Sequence, residues 1–144
     1  MTKSNKGFSL LELLIVVAII LIIATIAIPS LLKSRQAAHE AAAVATLRTI
    51  NTAEVTYLSS SNGNYGTIAD LIAGAFIPSN FGGTVSGYNF SIVTAGGDFT
   101  VSAVPASSQD GRYGYYITPD GTVRYSTVAT LAPTPAMAGA PVSQ

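Results

Sequence analysis

From Phe8 to Ile28 this chain of 144 residues is almost wholly apolar, and the run contains a single ionisable residue, Glu12. Few structures accommodate such a run. As an α-helix at about 1.5 Å per residue, about 20 apolar residues span the hydrocarbon core of a bilayer. Lys3 and Lys6 precede the run and no acidic residue does. The positive-inside rule then predicts a cytoplasmic N-terminus and export of residues 30–144. Glu12 is the anomaly, because a charged group in mid-bilayer costs about 3 kcal/mol on insertion scales. Two explanations stand side by side. Either Glu12 lies near the membrane edge and reaches the headgroups, or it awaits a cation from another subunit.

The residues Lys6, Gly7, Phe8, Ser9, Leu10, Leu11 and Glu12, the Leu-Leu-Ile-Val-Val-Ala run after them, and Pro29 resemble the N-terminus of type IV prepilins and type II secretion pseudopilins, the class III signal peptide family. The resemblance covers residues 1 to about 35 and beyond that is one of architecture. It implies that a prepilin peptidase cuts between Gly7 and Phe8 and methylates the new amine of Phe8. It also implies that Glu12 is needed for assembly. An α-amine with a reference pKa of about 8 is cationic at neutral pH and can pair with Glu12 of a neighbouring helix. A buried pair of that kind fixes register more clearly than it adds stability.

Two other fates of the segment are weighed. Thr25-Ile26-Ala27 is a passable small-residue site for an ordinary secretory signal, but the apolar run exceeds a typical h-region and carries Glu12. An uncut single-pass anchor is the other.

Pro29 follows the apolar run. Proline in a helix interior removes one hydrogen bond and kinks or ends the helix. One outcome is that the membrane helix stops there. Yet residues 30–62 contain no further Gly or Pro and are rich in Ala and Leu, which favour helix. The expectation is one kinked helix from about Phe8 to Ser59, about 80 Å long at 1.5 Å per residue. Its second half is amphipathic: Ala43, Leu47, Ile50, Tyr57 and Leu58 share one side, and Thr49, Thr52 and Thr56 lie opposite. Glu54 falls in the apolar stripe, either at its edge or paired with Arg112 or Arg124. His39, the sole histidine, is expected on the helix surface. Lys33, Arg35, Glu40 and Arg48 are expected to be solvated or intersubunit charges.

A turn cluster at residues 59–66 ends the long helix. Thr67 is placed to cap a short helix with Asp70 in a capping-box role, and residues 78–87 read as loop. From Gly87 the period becomes two. Tyr88, Phe90 and Ile92 form one strand and Phe99, Val101 and Ala103 the next. Tyr113, Tyr115 and Ile117, then Val123 and Tyr125, complete four. The turns fall at Ala95-Gly96-Gly97-Asp98 and Pro119-Asp120-Gly121. The fold class expected is therefore α+β. With the resemblance it becomes a pilin-like fold, a long kinked helix packed on a four-stranded antiparallel sheet through its aromatic and branched face. The Thr-, Ser- and Asn-rich face should meet water. The divisions are a leader at 1–7, an assembly helix at 8–29, its amphipathic continuation at 30–60, a globular region at 61–126, and a flexible or extended Pro/Ala-rich tail at 127–144.

The formal net charge is zero, and removing Lys3 and Lys6 with the leader leaves five of the seven basic residues against seven acidic ones. Neither balance suggests a nucleic-acid or anionic-membrane surface. The chain has no cysteine, so it departs from the many pilins that close a C-terminal loop with a disulfide. There is no Gly-rich phosphate loop, zinc spacing or supported nucleophile–base pair, so no catalytic residue, cofactor or metal is expected. Asp98, Asp110 and Asp120 are read as turn formers rather than calcium ligands. The seven tyrosines are read as core and strand packing.

Three functions remain. The first is a structural subunit of a helical fibre, either a type IV pilus or a type II secretion pseudopilus. The second is a monomeric membrane-anchored binding domain, and the third an exported enzyme, disfavoured here. For the first, the resemblance implies a homo-polymer served by a prepilin peptidase, an assembly ATPase and inner-membrane platform proteins. The subunit would rest in the bacterial inner membrane before joining an extracellular pilus or periplasmic pseudopilus. Adhesion, motility, secretion and DNA uptake are all roles within the family.

Overall fold

A computed structural model describes residues 7–127 and 140–142. The chain divides into two units, the first ending at Ser34 and the second beginning at Arg35. Helix α1, Leu10–Ser60, contributes to both.

In the first unit the chain is non-helical at residues 7–9 and enters α1 through Ser9. Ser9 Oγ accepts from the Leu11 N–H at 3.3 Å, and the Glu12 carboxylate accepts from the Ser9 N–H at 2.9 Å. Two of the amide groups that every helix start leaves unpaired are thereby satisfied. The Phe8–Leu32 side chains are exposed with the exception of Ala24, which is half-buried. Such a surface is apolar all round, the pattern of a helix whose partner is lipid or other helices. By length and composition α1 can cross a membrane. Pro29 lies inside the helix and does not end it.

In the second unit α1 buries Glu40, Ala43, Leu47, Ile50, Ala53 and Glu54, a three- and four-residue spacing that marks one helical face. Thr49, Thr52 and Thr56 are exposed and return their hydroxyls to the carbonyls four residues back. The helix ends where Asn62 and Gly63 turn left-handed at φ 55° and 83°. The Gly63 N–H then closes on the Leu58 carbonyl at 3.2 Å, which answers one of the unpaired carbonyls at the helix end. Helix α2, Ile68–Ala73, carries the expected capping box of Thr67 and Asp70.

After a 3₁₀ turn at Ser79–Gly82 come the strands β1 (Thr84–Val85), β2 (Tyr88–Ala95), β3 (Asp98–Pro105), β4 (Gly114–Ile117), β5 (Val123–Ser126) and β6 (Ala140–Pro141). They form one sheet in sequence order, each pair antiparallel. Tyr88, Phe90, Phe99, Val101, Ala103, Tyr115, Ile117 and Val123 pack with Ala43, Leu47, Ile50 and Ala53 of α1. Leu71 and Ile77 complete this core. Each large aliphatic side chain buried this way contributes about 2 kcal/mol.

Six strands replace the four expected. The additions are two-residue strands at the sheet edges, too short to show a period. β1 pairs Val85 with Tyr88 across Ser86 and Gly87, both left-handed at φ 49° and 77°, and serine does not advertise that conformation. β6 draws part of the Pro/Ala-rich tail onto β5, pairing Pro141 with Arg124 and Ala140 with Tyr125. Proline is tolerated at such an edge because no further strand needs its N–H. Residues 128–139, most of the expected tail, lie outside the described residues. The second face of the sheet also departs from expectation. Ser102 and Tyr116 are buried there, whereas alternation alone assigned that face to water.

Candidate functional site

The site marked by the sequence lies at the start of α1. Gly7 and Phe8 are both exposed, Phe8 at 85%. A Cβ added at Gly7 would meet nothing within 4 Å among the described residues beyond its chain neighbours. The Gly7–Phe8 bond therefore lies in non-helical, accessible chain before the first helical turn. Glu12 is exposed, and among the described residues its Oε1 accepts no hydrogen bond while Oε2 holds the Ser9 N–H. The carboxylate thus has one oxygen engaged in its own helix start and one available to a donor. Phe8, Ser9, Leu10, Leu13, Leu14 and Val17 line a shallow apolar concavity on the same turns. A new amine at Phe8 would arise one residue from the Ser9 N–H that Glu12 already holds. Negative charge near a helix N-terminus is also favoured by the helix dipole.

The remaining polar groups gather in the second unit. Glu40, expected to be solvated or intersubunit, is buried and receives Arg112. Burial alone would raise its pKa, but the side-chain and backbone hydrogen bonds from Arg112, with its charge, outweigh that and hold the carboxyl below its usual value. Glu40 precedes Ala43 and Leu47 on one helical face, the signal that could have marked it as buried. Gln36 donates to the Ser108 carbonyl at 2.9 Å. His39 Nδ1 faces Asp110 Oδ1 at 3.4 Å, and both side chains are about one-fifth exposed. His39 is therefore tucked against the 105–112 loop rather than standing on the surface.

Glu54 corrects both expected alternatives. It is fully buried, and it pairs with neither arginine. Its Oε2 accepts from the Gly66 N–H at 3.0 Å, while Oε1 is buried and has no hydrogen-bond partner among the described residues. Burial raises its pKa, the Gly66 hydrogen bond opposes this, and Asp70 adds to the rise. Arg124 goes instead to Asp120, with Nη2 to Oδ2 at 2.6 Å. The hydrogen bond from Arg124 is the largest cause that holds the Asp120 pKa down at about 2; burial opposes it, and hydrogen bonds from Thr122 and Thr118 add to the lowering.

Asp98, Asp110 and Asp120 each bond within their own turns. Among the described residues no group of three or more His, Cys, Asp or Glu is placed to hold a metal. Tyr88 and Tyr115 lie in the core with rings 6.0 Å apart, and Tyr113 and Tyr125, 5.3 Å apart, pack against it.

Residues 2–28 match the family described as the prokaryotic N-terminal methylation motif. The N-terminal segment is thus a prepilin-type segment, the class III signal peptide that type IV pilins and pseudopilins share. The match ends before Pro29, so the sheet-bearing unit lies outside it. Comparison with curated proteins and with solved structures finds no match.

Proposed function

We propose that this chain is a structural subunit of a type IV pilus fibre. In this reading a prepilin peptidase cuts between Gly7 and Phe8 and methylates the Phe8 amine. The subunit waits in the inner membrane with its N-terminus cytoplasmic, and an assembly ATPase with platform proteins moves it into a helical homo-polymer. The observation that carries the proposal is the pairing of an exposed, almost wholly apolar first half of α1 with one carboxylate a turn from the cut bond. Outside the bilayer that apolar surface needs a cover, and the same helices of neighbouring copies supply it. A surface that binds a different surface on the next copy builds an open helical polymer. The carboxylate then has a function, since its free oxygen can accept from the Phe8 amine of the neighbour. Within the same class, a type II secretion pseudopilin would use identical chemistry in a periplasmic fibre. No catalytic role is proposed.

The test is intact-mass and N-terminal peptide analysis of the protein from its native membrane and from sheared surface fibres. A chain beginning at methylated Phe8 in surface fibres is the expected result. The same chain confined to the periplasm would select the pseudopilus. A chain beginning at Ile28 or Met1 in all fractions would overturn the proposal.

A further inference from the structure

Between Glu12 and Lys33 there is no ionisable side chain, and both residues lie in the unbroken helix α1. Their separation of 21 residues corresponds to about 32 Å of helix axis at 1.5 Å per residue. The hydrocarbon core of a bilayer is about 30 Å thick. The two charges therefore bracket one hydrocarbon thickness. Lys33 is exposed, and so is Arg35, the next cation along the helix. No Asp or Glu stands three or four residues from either, so neither has a carboxylate within helical reach. The arginine–carboxylate pairs among the described residues use Arg112 and Arg124 instead. Two unpaired cations thus follow directly on the exposed apolar side chains of Leu31 and Leu32, at the end of a run long enough to span the hydrocarbon core.

We propose that, in the unassembled subunit, Lys33 and Arg35 bind phosphate groups of phospholipid headgroups. They thereby set the depth of α1, so that Glu12 rests at the opposite hydrocarbon boundary. The inference rests on the membrane step of the proposed function and adds to it. Long basic side chains favour this placement because their apolar stems stay on the acyl region while the charged ends reach the headgroups. Held at the boundary, the Glu12 carboxylate keeps access to water and avoids the cost of a charge in mid-bilayer. It also stays open to a cationic partner. Arg48 is a control within the same helix. It is exposed but stands 36 residues from Glu12 in the sequence, in the second unit.

The chain has no cysteine, so single nitroxide labels can report depth in the full chain. Labels at Leu13→Cys, Ile22→Cys and Leu32→Cys would be read by collision with oxygen and with a water-soluble nickel chelate. The protein would be reconstituted in vesicles of phosphatidylethanolamine and phosphatidylglycerol. The expected profile is deepest at Ile22, with Leu13 and Leu32 near the two boundaries. Combined Lys33→Gln and Arg35→Gln should draw Leu32 inward and push Leu13 outward, raising nickel access at Leu13 severalfold. Arg48→Gln should leave the profile unchanged. In vesicles of a phosphate-free galactolipid, the unsubstituted cations should give the shifted profile as well. Identical profiles with and without Lys33 and Arg35 would overturn the proposal. So would an unshifted profile in galactolipid, which would trace the depth to hydrophobic length alone. If fibres form normally while the substitutions leave depth unchanged, only the anchor fails. Absence of any bilayer-centred profile would instead remove the membrane step of the proposed function.

Discussion

Arg112 grips Glu40 with three hydrogen bonds: its backbone N–H and Nε reach Oε1 at 2.8 and 3.1 Å, and Nη2 reaches Oε2 at 2.9 Å. The two residues are 72 positions apart. One carboxylate on α1 thus fastens the β3–β4 connection to the helix, and the guanidinium also lies 5.3 Å from the centre of the Tyr113 ring. Glu40 is buried, whereas the Arg112 side chain is about half exposed. The carboxylate is therefore the member whose loss leaves a buried gap.

Glu40→Ala should destabilise the second unit by about 2 kcal/mol, the cost of losing charge-assisted hydrogen bonds at a buried acceptor. The pH dependence follows from the lowered pKa. A carboxyl with a depressed folded value contributes stability above its unfolded pKa and loses it as pH falls through the folded value. The difference between Glu40→Gln and the parent protein should be full at neutral pH and vanish well below pH 4.5, the unperturbed value. Thermal unfolding across that range measures it.

Glu54 should behave in the opposite sense. Its raised pKa means that the native state holds this proton more tightly than the unfolded chain does. Stability then falls as pH rises from the unperturbed 4.5 through the raised folded value, and levels off above it. Glu54→Gln keeps an acceptor for the Gly66 N–H and should abolish that fall, leaving stability at neutral pH at or above the parent value. Glu54→Ala orphans the buried Gly66 amide and should cost about 2 kcal/mol. Denaturant unfolding at pH 4 and pH 7 separates the two variants.

Gly111→Ala should destabilise the fold although it adds one methyl group. An added Cβ would lie 1.9 Å from the Tyr88 hydroxyl oxygen. Tyr88 cannot yield easily, because its ring is fully buried and its hydroxyl donates to the Tyr113 carbonyl at 2.9 Å. The cost expected for such overpacking is about 2 kcal/mol, read as a lower unfolding midpoint.

At the N-terminus, Gly7→Leu should block cleavage and leave full-length precursor in the membrane, whereas Gly7→Ala should be processed. Normal processing of the leucine variant, scored by mass, would rule out the assigned bond. Glu12→Ala should be processed and inserted but should yield no fibres. Fibres at the parent level would return Glu12 to the role of a local helix cap for Ser9.

Pro29→Ala restores an N–H inside a continuous helix and gives the Thr25 carbonyl its donor back. The variant should insert and be processed like the parent, with a gain of about 3 kcal/mol in local helix propensity. The rise and twist of its fibres should change, which helical reconstruction would measure. Unchanged fibre geometry would mean that Pro29 does not shape the assembled helix.

Much of this architecture was legible locally. The membrane-length run, the Thr67–Asp70 capping box and the alternation of Tyr88, Phe90 and Ile92 all depend on neighbours within a few residues. The Ser9–Glu12 cap has the same short range, with Glu12 three residues after a serine, but a carboxylate inside an apolar run reads first as a membrane charge. The edge strands were not legible. Two residues carry no period, and the left-handed Ser86 in the β1–β2 turn has no compositional mark.

By itself the sequence determined the apolar helix, the single carboxylate at its start and the strands that alternate. These follow from composition, spacing and hydrogen bonds between near neighbours. Only the tertiary structure decided which acid meets which base. Glu40 and Glu54 both occupy the buried face of α1, yet Arg112 comes to Glu40, Arg124 stays with Asp120, and Glu54 receives the Gly66 amide. That choice depends on where sheet register and the β3–β4 connection carry Arg112. It also depends on the low tolerance of a packed interior for an unpaired charge, and neither is a property of any short stretch of chain.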